Sequence, residues 1–377
     1  MGALEKQTNP KALKHLINSD VVDVYGTKLI KVFKDFDHQS FCKLKNHLDE
    51  LELRDRVSLI AHELANHLPS EYPKALRILE QAIEDGAIRG FALWPATEFV
   101  RLYGLDHFDD SFRAMETWTI MFTSEFAVRP FIIKYPDRSI QWLMGSAQNE
   151  NVHIRRWASE GSRPRLPWGE RLHVFVKDPS LSIKILEQLK YDPDLYVRKS
   201  VANHLNDISK DHPDLVIKIL KNWKKKVAKN FSSEFEFTLR QSLRTLIRQG
   251  NPDALALMGV TYGDSSLAVS EFSLQSRKVK IGDSLLFTCA IINKSKQSKS
   301  FVVDYVIDYQ KSNGAYSPKV FKLKKGNIPP LSTLVIKRKH SFKLVTTRTY
   351  YPGQHRMKLL LNGVVSDDKS FQLWLDS

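Results

Sequence analysis

The run Arg155-Arg156-Trp157-Ala158-Ser159-Glu160-Gly161-Ser162-Arg163-Pro164-Arg165-Leu166-Pro167-Trp168 places one carboxylate among four arginines and two tryptophans. Gly161 and the two prolines break a helix there, which puts Glu160 at the helix end and Trp168 on the following turn, exposed unless something packs on it. About 35 residues earlier, Thr123-Ser124-Glu125-Phe126-Ala127-Val128-Arg129-Pro130-Phe131 embeds a second acidic residue among apolar ones. Neither carboxylate has a histidine partner at helical i,i+4 spacing, so a metal site is not expected. The plain alternative is ion pairing, Glu160 with Arg156 or Arg163 and Glu125 with Arg129 four residues on. Cys42 and Cys289 are the only cysteines and lack CxxC spacing, which excludes a disulfide framework and a cysteine-based metal site.

These side chains must be held by helices. From Asn9 to about Gly263 apolar residues recur at helical spacing, as in Ala12, Leu13, Leu16, Ile17 or Leu76, Leu79, Ala82, Ile83. The segment Asn149-Glu-Asn-Val-His-Ile-Arg155-Arg156-Trp-Ala resembles Asp192-Pro-Asp-Leu-Tyr-Val-Arg198-Lys199-Ser-Val at a period of 43, and a third copy around Arg240 follows after 42. A helix-pair repeat of that length predicts an α-solenoid of HEAT-like helical repeats over residues 1–265. The repeated arginines have two readings. Each could pair with the Asp of the preceding turn, or together with Lys199, Lys210, Arg244, Arg248 and the 221–229 lysines they could form a cationic stripe tracking phosphates. That lysine run also reads as a solvated helix end.

After about Ser270 the pattern changes to period two, in Val279-Lys-Ile281, Leu285–Ile292, Val302–Tyr309, Leu334–Ile336 and Met357–Leu361, separated by Asn293-Lys-Ser, Asn313-Gly, Ile328-Pro-Pro, Pro352-Gly and Asn362-Gly. About seven short strands over residues 271–377 predict an immunoglobulin-like β-sandwich, without an internal disulfide because Cys289 stands alone there.

At 377 residues and 43.4 kDa, two or three domains are expected. The chain carries 57 Lys and Arg against 42 Asp and Glu, a net charge of +15. By segment the net is −4 over residues 1–150, +7 over 151–270 and +12 over 271–377. The gradient favours a polyanion against the middle and C-terminal parts, with a merely solvated surface as the alternative. No apolar run nears the ~18 residues of a membrane span, and Met1–Lys6 carries no signal-peptide core, so a cytoplasmic protein without membrane partners is expected.

Glu125-Phe-Ala-Val-Arg-Pro-Phe, the run from Arg155 to Trp168, and Tyr196-Val-Arg198-Lys-Ser-Val-Ala-Asn203-His-Leu-Asn206-Asp207-Ile-Ser-Lys210-Asp-His-Pro together resemble the AlkC family of HEAT-like-repeat DNA glycosylases, in the form with a C-terminal immunoglobulin-like domain. The resemblance covers roughly residues 10–263, and its densest block is 123–213. It implies a monofunctional glycosylase removing cationic alkylated bases, chiefly N3-methyladenine and N3-methylcytosine, from double-stranded DNA, without metal or other cofactor, acting as a monomer at the bacterial nucleoid. It further implies that Glu160 faces the sugar and water, that Glu125 supports it or contacts the lesion, and that Trp168 stacks on the cationic base. Arg155, Arg156, Arg163, Arg198, Lys199, Asn203, Asn206, Lys210, Arg240 and Arg244 are the residues expected to hold DNA. The competing class is a non-catalytic solenoid adaptor for nucleic acid or protein, in which the same cations supply affinity alone. An RNA-reading repeat protein fits less well, since no regular set of base-reading residues recurs.

Overall fold

A computed structural model describes residues 12–345 and 348–375; the start of the helical pattern at Asn9 and the Met1–Lys6 segment lie outside them. Among the described residues, sixteen α-helices and four 3-10 turns run from Leu13 to Leu257, and eight strands follow from Leu267 to Trp374. The chain is an α-solenoid of HEAT-like helical repeats followed by an immunoglobulin-like β-sandwich. The helices are short because polar caps and prolines punctuate them. Asn151 accepts the His153 amide at 2.9 Å to open helix Val152–Gly161, and Asp194 accepts that of Tyr196 at 2.7 Å to open helix Leu195–Ile208. Their buried faces, Ile154, Trp157 and Ala158 in one, Val197, Val201 and Leu205 in the other, pack as neighbouring repeats.

The repeated arginine holds this register together. Arg155 donates to the carbonyls of Asn149 and Glu150 at 3.1 and 2.7 Å, and Arg198 to those of Asp192 and Pro193 at 2.9 and 2.6 Å. In both copies the side chain reaches back to residues i−6 and i−5, satisfying turn carbonyls that would otherwise lack donors. Arg155 also pairs with Asp192 of the next repeat at 2.7 Å, and Arg198 lies over the Phe231 ring at 5.4 Å. Of the two readings of these arginines, the geometry favours the structural one.

The sandwich has a three-stranded sheet, order β1-β3-β6, and a five-stranded sheet, order β2-β8-β7-β4-β5. The strands are β1 Leu267–Leu274, β2 Lys278–Lys280, β3 Ser284–Asn293, β4 Lys299–Gln310, β5 Tyr316–Ile328, β6 Thr333–Ser341, β7 Gly353–Leu361 and β8 Val364–Trp374. All pairings are antiparallel except β2 with β8. Phe287, Tyr305, Ile307, Met357, Leu359 and Phe371 form the centre of its core, with Cys289 buried as a free thiol. Three strands exceed the expected pattern. β1 begins before residue 271, and β5 and β8 are mostly exposed, so their alternation is weak in sequence. Lysines along β5 and β6 keep these sheet edges from pairing with other chains.

The change from helix to strand falls where expected, between Leu257 and Leu267. The compact units divide elsewhere. One comprises 1–211 with 227–241, the other 212–226 with 242–377. Helices Pro213–Lys226, Arg244–Arg248 and Pro252–Leu257 therefore belong to the unit that contains the sandwich. Within it, the Asn362-Gly363 turn joining β7 and β8 lies against the corner at Gly250, where a Cβ on Gly250 would stand 2.7 Å from the Gly363 carbonyl oxygen. Both glycines have positive φ, 72° and 83°, so each is required by conformation and by space.

Candidate active site

Glu160 occupies the last turn of helix Val152–Gly161 and is only 6% exposed. Both oxygens of its carboxylate have partners. Arg163 Nη1 donates to Oε1 at 2.6 Å, Ser200 Oγ donates to Oε2 at 2.6 Å, and Arg156 Nη2 stands 3.6 Å from Oε1. Arg163 is itself gripped by Asp207, through Nε at 2.9 Å and Nη2 at 2.8 Å, and Asp207 also accepts from Lys210 Nζ at 3.1 Å. Burial works against the Arg163 charge, but the pairs with Glu160 and Asp207 outweigh it and hold its pKa above the ordinary value.

Glu125, 8% exposed, sits in the turn before helix Arg129–Lys134. It accepts from Thr123 Oγ1 at 2.7 Å and from Arg156 Nη1. Burial raises its pKa, Arg156 opposes that shift, and the nearby Glu160 charge adds to it. The expected Glu125–Arg129 pair does not form. Arg129 is instead wholly buried and donates to the carbonyls of Gly161, Arg163 and Glu170, so it staples the 161–170 loop to the segment carrying Glu125. Burial pushes the Arg129 pKa down to about 10. Gly161 admits this approach, since a Cβ there would lie 2.8 Å from Val128 Cγ1. Its φ is not positive, so its place follows from packing and not from a helix-ending turn.

Arg156 joins the two carboxylates and lies over the Tyr196 ring at 5.1 Å. Arg156, Thr123, His153 and Tyr196, with residues 119–122, line a cavity of about 340 Å³. Trp168 does not line it. That residue is 59% exposed and adopts φ 63°, an unfavourable conformation for a bulky side chain, on a turn closed by the Gly169 amide to Leu166 at 3.1 Å. Trp168 is thus exposed, as the turn predicted in the absence of a packing partner.

Among the residues expected to hold DNA, Arg155, Arg163 and Arg198 have guanidiniums turned inward onto carboxylates or carbonyls, and Asn206 is buried. Lys199 and Lys210 are exposed, and Asn203, Arg240 and Arg244 are half-buried. Arg240 lies in the first unit, over the Phe237 ring at 5.9 Å, whereas Arg244 belongs to the second. Sequence reasoning missed Ser200 as a partner of Glu160 and the carbonyls of the 161–170 loop as partners of Arg129, because contacts between distant segments leave no local spacing signal; the Thr123 hydroxyl on Glu125, two residues away, is local and was also missed. Also missed was His204, buried with Nδ1 3.0 Å from the Ser159 carbonyl and its pKa pushed down to about 3 by burial. Among the described residues no group of three or more His, Cys, Asp or Glu could hold a metal, and no helix is long and apolar enough to cross a membrane.

The fold and site define a HEAT-like-repeat protein with two buried, arginine-bridged carboxylates and a C-terminal immunoglobulin-like domain. Residues 268–375 match the family model described as "Uncharacterised protein YhaZ, C-terminal Ig-like domain". The chain is 36% identical over 363 residues to the Uncharacterized protein YhaZ of Bacillus subtilis (strain 168), covering 96% of this chain and 99% of that one. It is also similar to the Pseudomonas fluorescens alkylpurine DNA glycosylase AlkC, solved bound to DNA containing an abasic site analog. There the TM-score is 0.89 at 35% identity, covering 96% of this chain and 99% of that one. The chain belongs to the AlkC family, in the form that carries the immunoglobulin-like domain.

Proposed function

We propose that this protein is a monofunctional DNA glycosylase that hydrolyses the N-glycosidic bond of cationic alkylated bases, N3-methyladenine and N3-methylcytosine, in double-stranded DNA and leaves an abasic site. The observation that carries the reading is the meeting of Glu125 and Glu160, from separate segments, on one guanidinium at a cavity wall. A methylated base bearing positive charge leaves without a general acid. The C1′–N bond breaks, its electron pair neutralises the base, and the sugar passes through an oxocarbenium-like state. Glu160 stabilises that cation and orients the water whose oxygen adds to C1′, while the water's proton passes to the carboxylate and then to solvent. Glu125 adds negative charge beside the lesion, and the exposed Trp168 stacks on the cationic base. None of these steps calls for a metal or another cofactor.

Lys199, Lys210, Asn203 and Arg240 hold phosphates in this reading. The sandwich, with 19 basic and 7 acidic residues over 271–377, offers DNA the exposed Lys294, Lys296, Lys324, Lys325, Lys337, Arg338 and Lys339. The protein acts as a monomer in the cytoplasm, at the nucleoid. The test is release of methylated base from alkylated duplex DNA by the purified chain and its Glu160→Gln variant. Excision by the variant is expected to fall at least ~10²-fold with DNA binding nearly unchanged. Near-wild-type release by Glu160→Gln overturns the assignment of Glu160, and DNA binding without any release by the native chain would favour an adaptor.

A further inference from the structure

Both carboxylates of the proposed site are covered, each by a hydroxyl and by guanidinium charge. Arg163 is fixed, buried between Glu160 and a two-point contact with Asp207. Arg156 is placed differently. It donates to Glu125 and to Thr123 Oγ1 at 3.0 Å, has no bond to Asp207, lies over the Tyr196 ring and forms part of the wall of the 340 Å³ cavity, so it has space to turn into. Charges alternate along Glu125, Arg156, Glu160, Arg163, Asp207 and Lys210, and the string is balanced only while a cation stands between the first carboxylate and the second. Removing that cation leaves two buried carboxylates under-compensated, a state that a neutral ligand cannot relieve and a cationic one can.

We infer that Arg156 is a displaceable counter-ion, withdrawing into the cavity it lines when a cationic base and its sugar take its place between Glu125 and Glu160. A neutral base leaves Arg156 on its carboxylates, whereas a cationic one competes with it for them, so Arg156 is a specificity-determining residue that sets how strongly the site prefers a cation. The inference rests on the glycosylase reading and adds to it the selection of cationic substrates by exchange of charge.

The test compares two duplexes, one carrying a pyrrolidine nucleotide whose protonated ring nitrogen stands for the sugar cation, the other a neutral tetrahydrofuran nucleotide. Binding is measured at pH 8.5. Arg156→Gln removes the competing charge and is expected to raise the preference for the pyrrolidine duplex at least tenfold over wild type, while Arg156→Lys keeps it near the wild-type value. An unchanged or smaller preference in a folded Arg156→Gln protein overturns the inference. Should that variant lose its helical circular dichroism, the Arg156 Nε–H resonance of the native protein decides. It should move on adding the pyrrolidine duplex and not the tetrahydrofuran one, and an unmoved signal overturns displacement. A native chain that releases no methylated base overturns the glycosylase reading itself, whereas excision with an unchanged Arg156→Gln preference overturns displacement alone.

Discussion

Glu125 and Glu160 stand about 35 residues apart in the chain, yet share one guanidinium. Their types and helical context were readable, and so was the pairing of Glu160 with Arg156 and Arg163 at i−4 and i+3. The partner of Glu125 was not, because Arg156 reaches it from another helix while the nearer Arg129 is drawn to backbone carbonyls that have no other donor. Trp168 allows a test that separates a stacking role from packing. Its left-handed backbone costs roughly 1 kcal/mol that glycine would not pay. Trp168→Gly is therefore expected to keep or slightly raise the denaturant midpoint while cutting excision at least tenfold; a fall of more than 2 kcal/mol in stability would restore the packing role. Buried histidines contribute to the acid response. His204 and His340 have folded pKa values pushed down to about 3 and about 4 by burial, the latter between the hydroxyls of Tyr305 and Tyr309. Near their ordinary pKa of about 6.5 the unfolded chain takes up protons that the folded chain refuses, so stability falls as pH drops from about 6.5 toward 3. Denaturant titrations across that range should show the loss, and His204→Asn should reduce it.

At the scale of elements, the period of 43 between Arg155 and Arg198 located two repeats and their turns correctly, since the same side chain closes the same turn in each. What the period could not tell was the direction of the charge. Both guanidiniums bond turn carbonyls, and Arg155 also pairs with Asp192, which favours their structural reading over phosphate contact. Arg198→Ala should therefore destabilise the helical unit, by about 2 kcal/mol for buried carbonyls left without donors, and leave the salt dependence of DNA binding unaltered. Lys199→Ala and Arg240→Ala should each lower the slope of log affinity against log salt by about one unit. An Arg198→Ala slope reduced by a full unit would return that residue to the phosphate contacts. In the sandwich, β3, β4 and β7 were visible because one face of each is apolar and buried. The polar edge β5 was not, because a strand that must resist pairing is written in lysine.

At the scale of the molecule, the second compact unit takes in residues 212–226, so the chain passes from one unit to the other more than once and no single cut separates them. A chain ending near Gly263 keeps helices Pro213–Lys226 and Pro252–Leu257 but removes the Asn362-Gly363 turn that lies against Gly250 and Leu255. That truncation is expected to lose helical circular dichroism as well as DNA affinity. Full helicity with lower affinity would instead give the sandwich a role in DNA binding alone. Gly363→Ala, strained at φ 83° and set 2.9 Å from Gly250 Cα, should destabilise the intact protein by roughly 1–3 kcal/mol, read from its thermal midpoint. Sequence by itself determined the class of each half, because periods of 3.6 and 2 and a 43-residue repeat are local properties of a chain that must bury one face of every element. It also determined which carboxylates and which tryptophan to watch. Tertiary structure alone decided which cations are spent inside, what covers Glu125 and Glu160, and where the compact units divide, since buried charges and close glycine contacts are settled between segments distant in sequence.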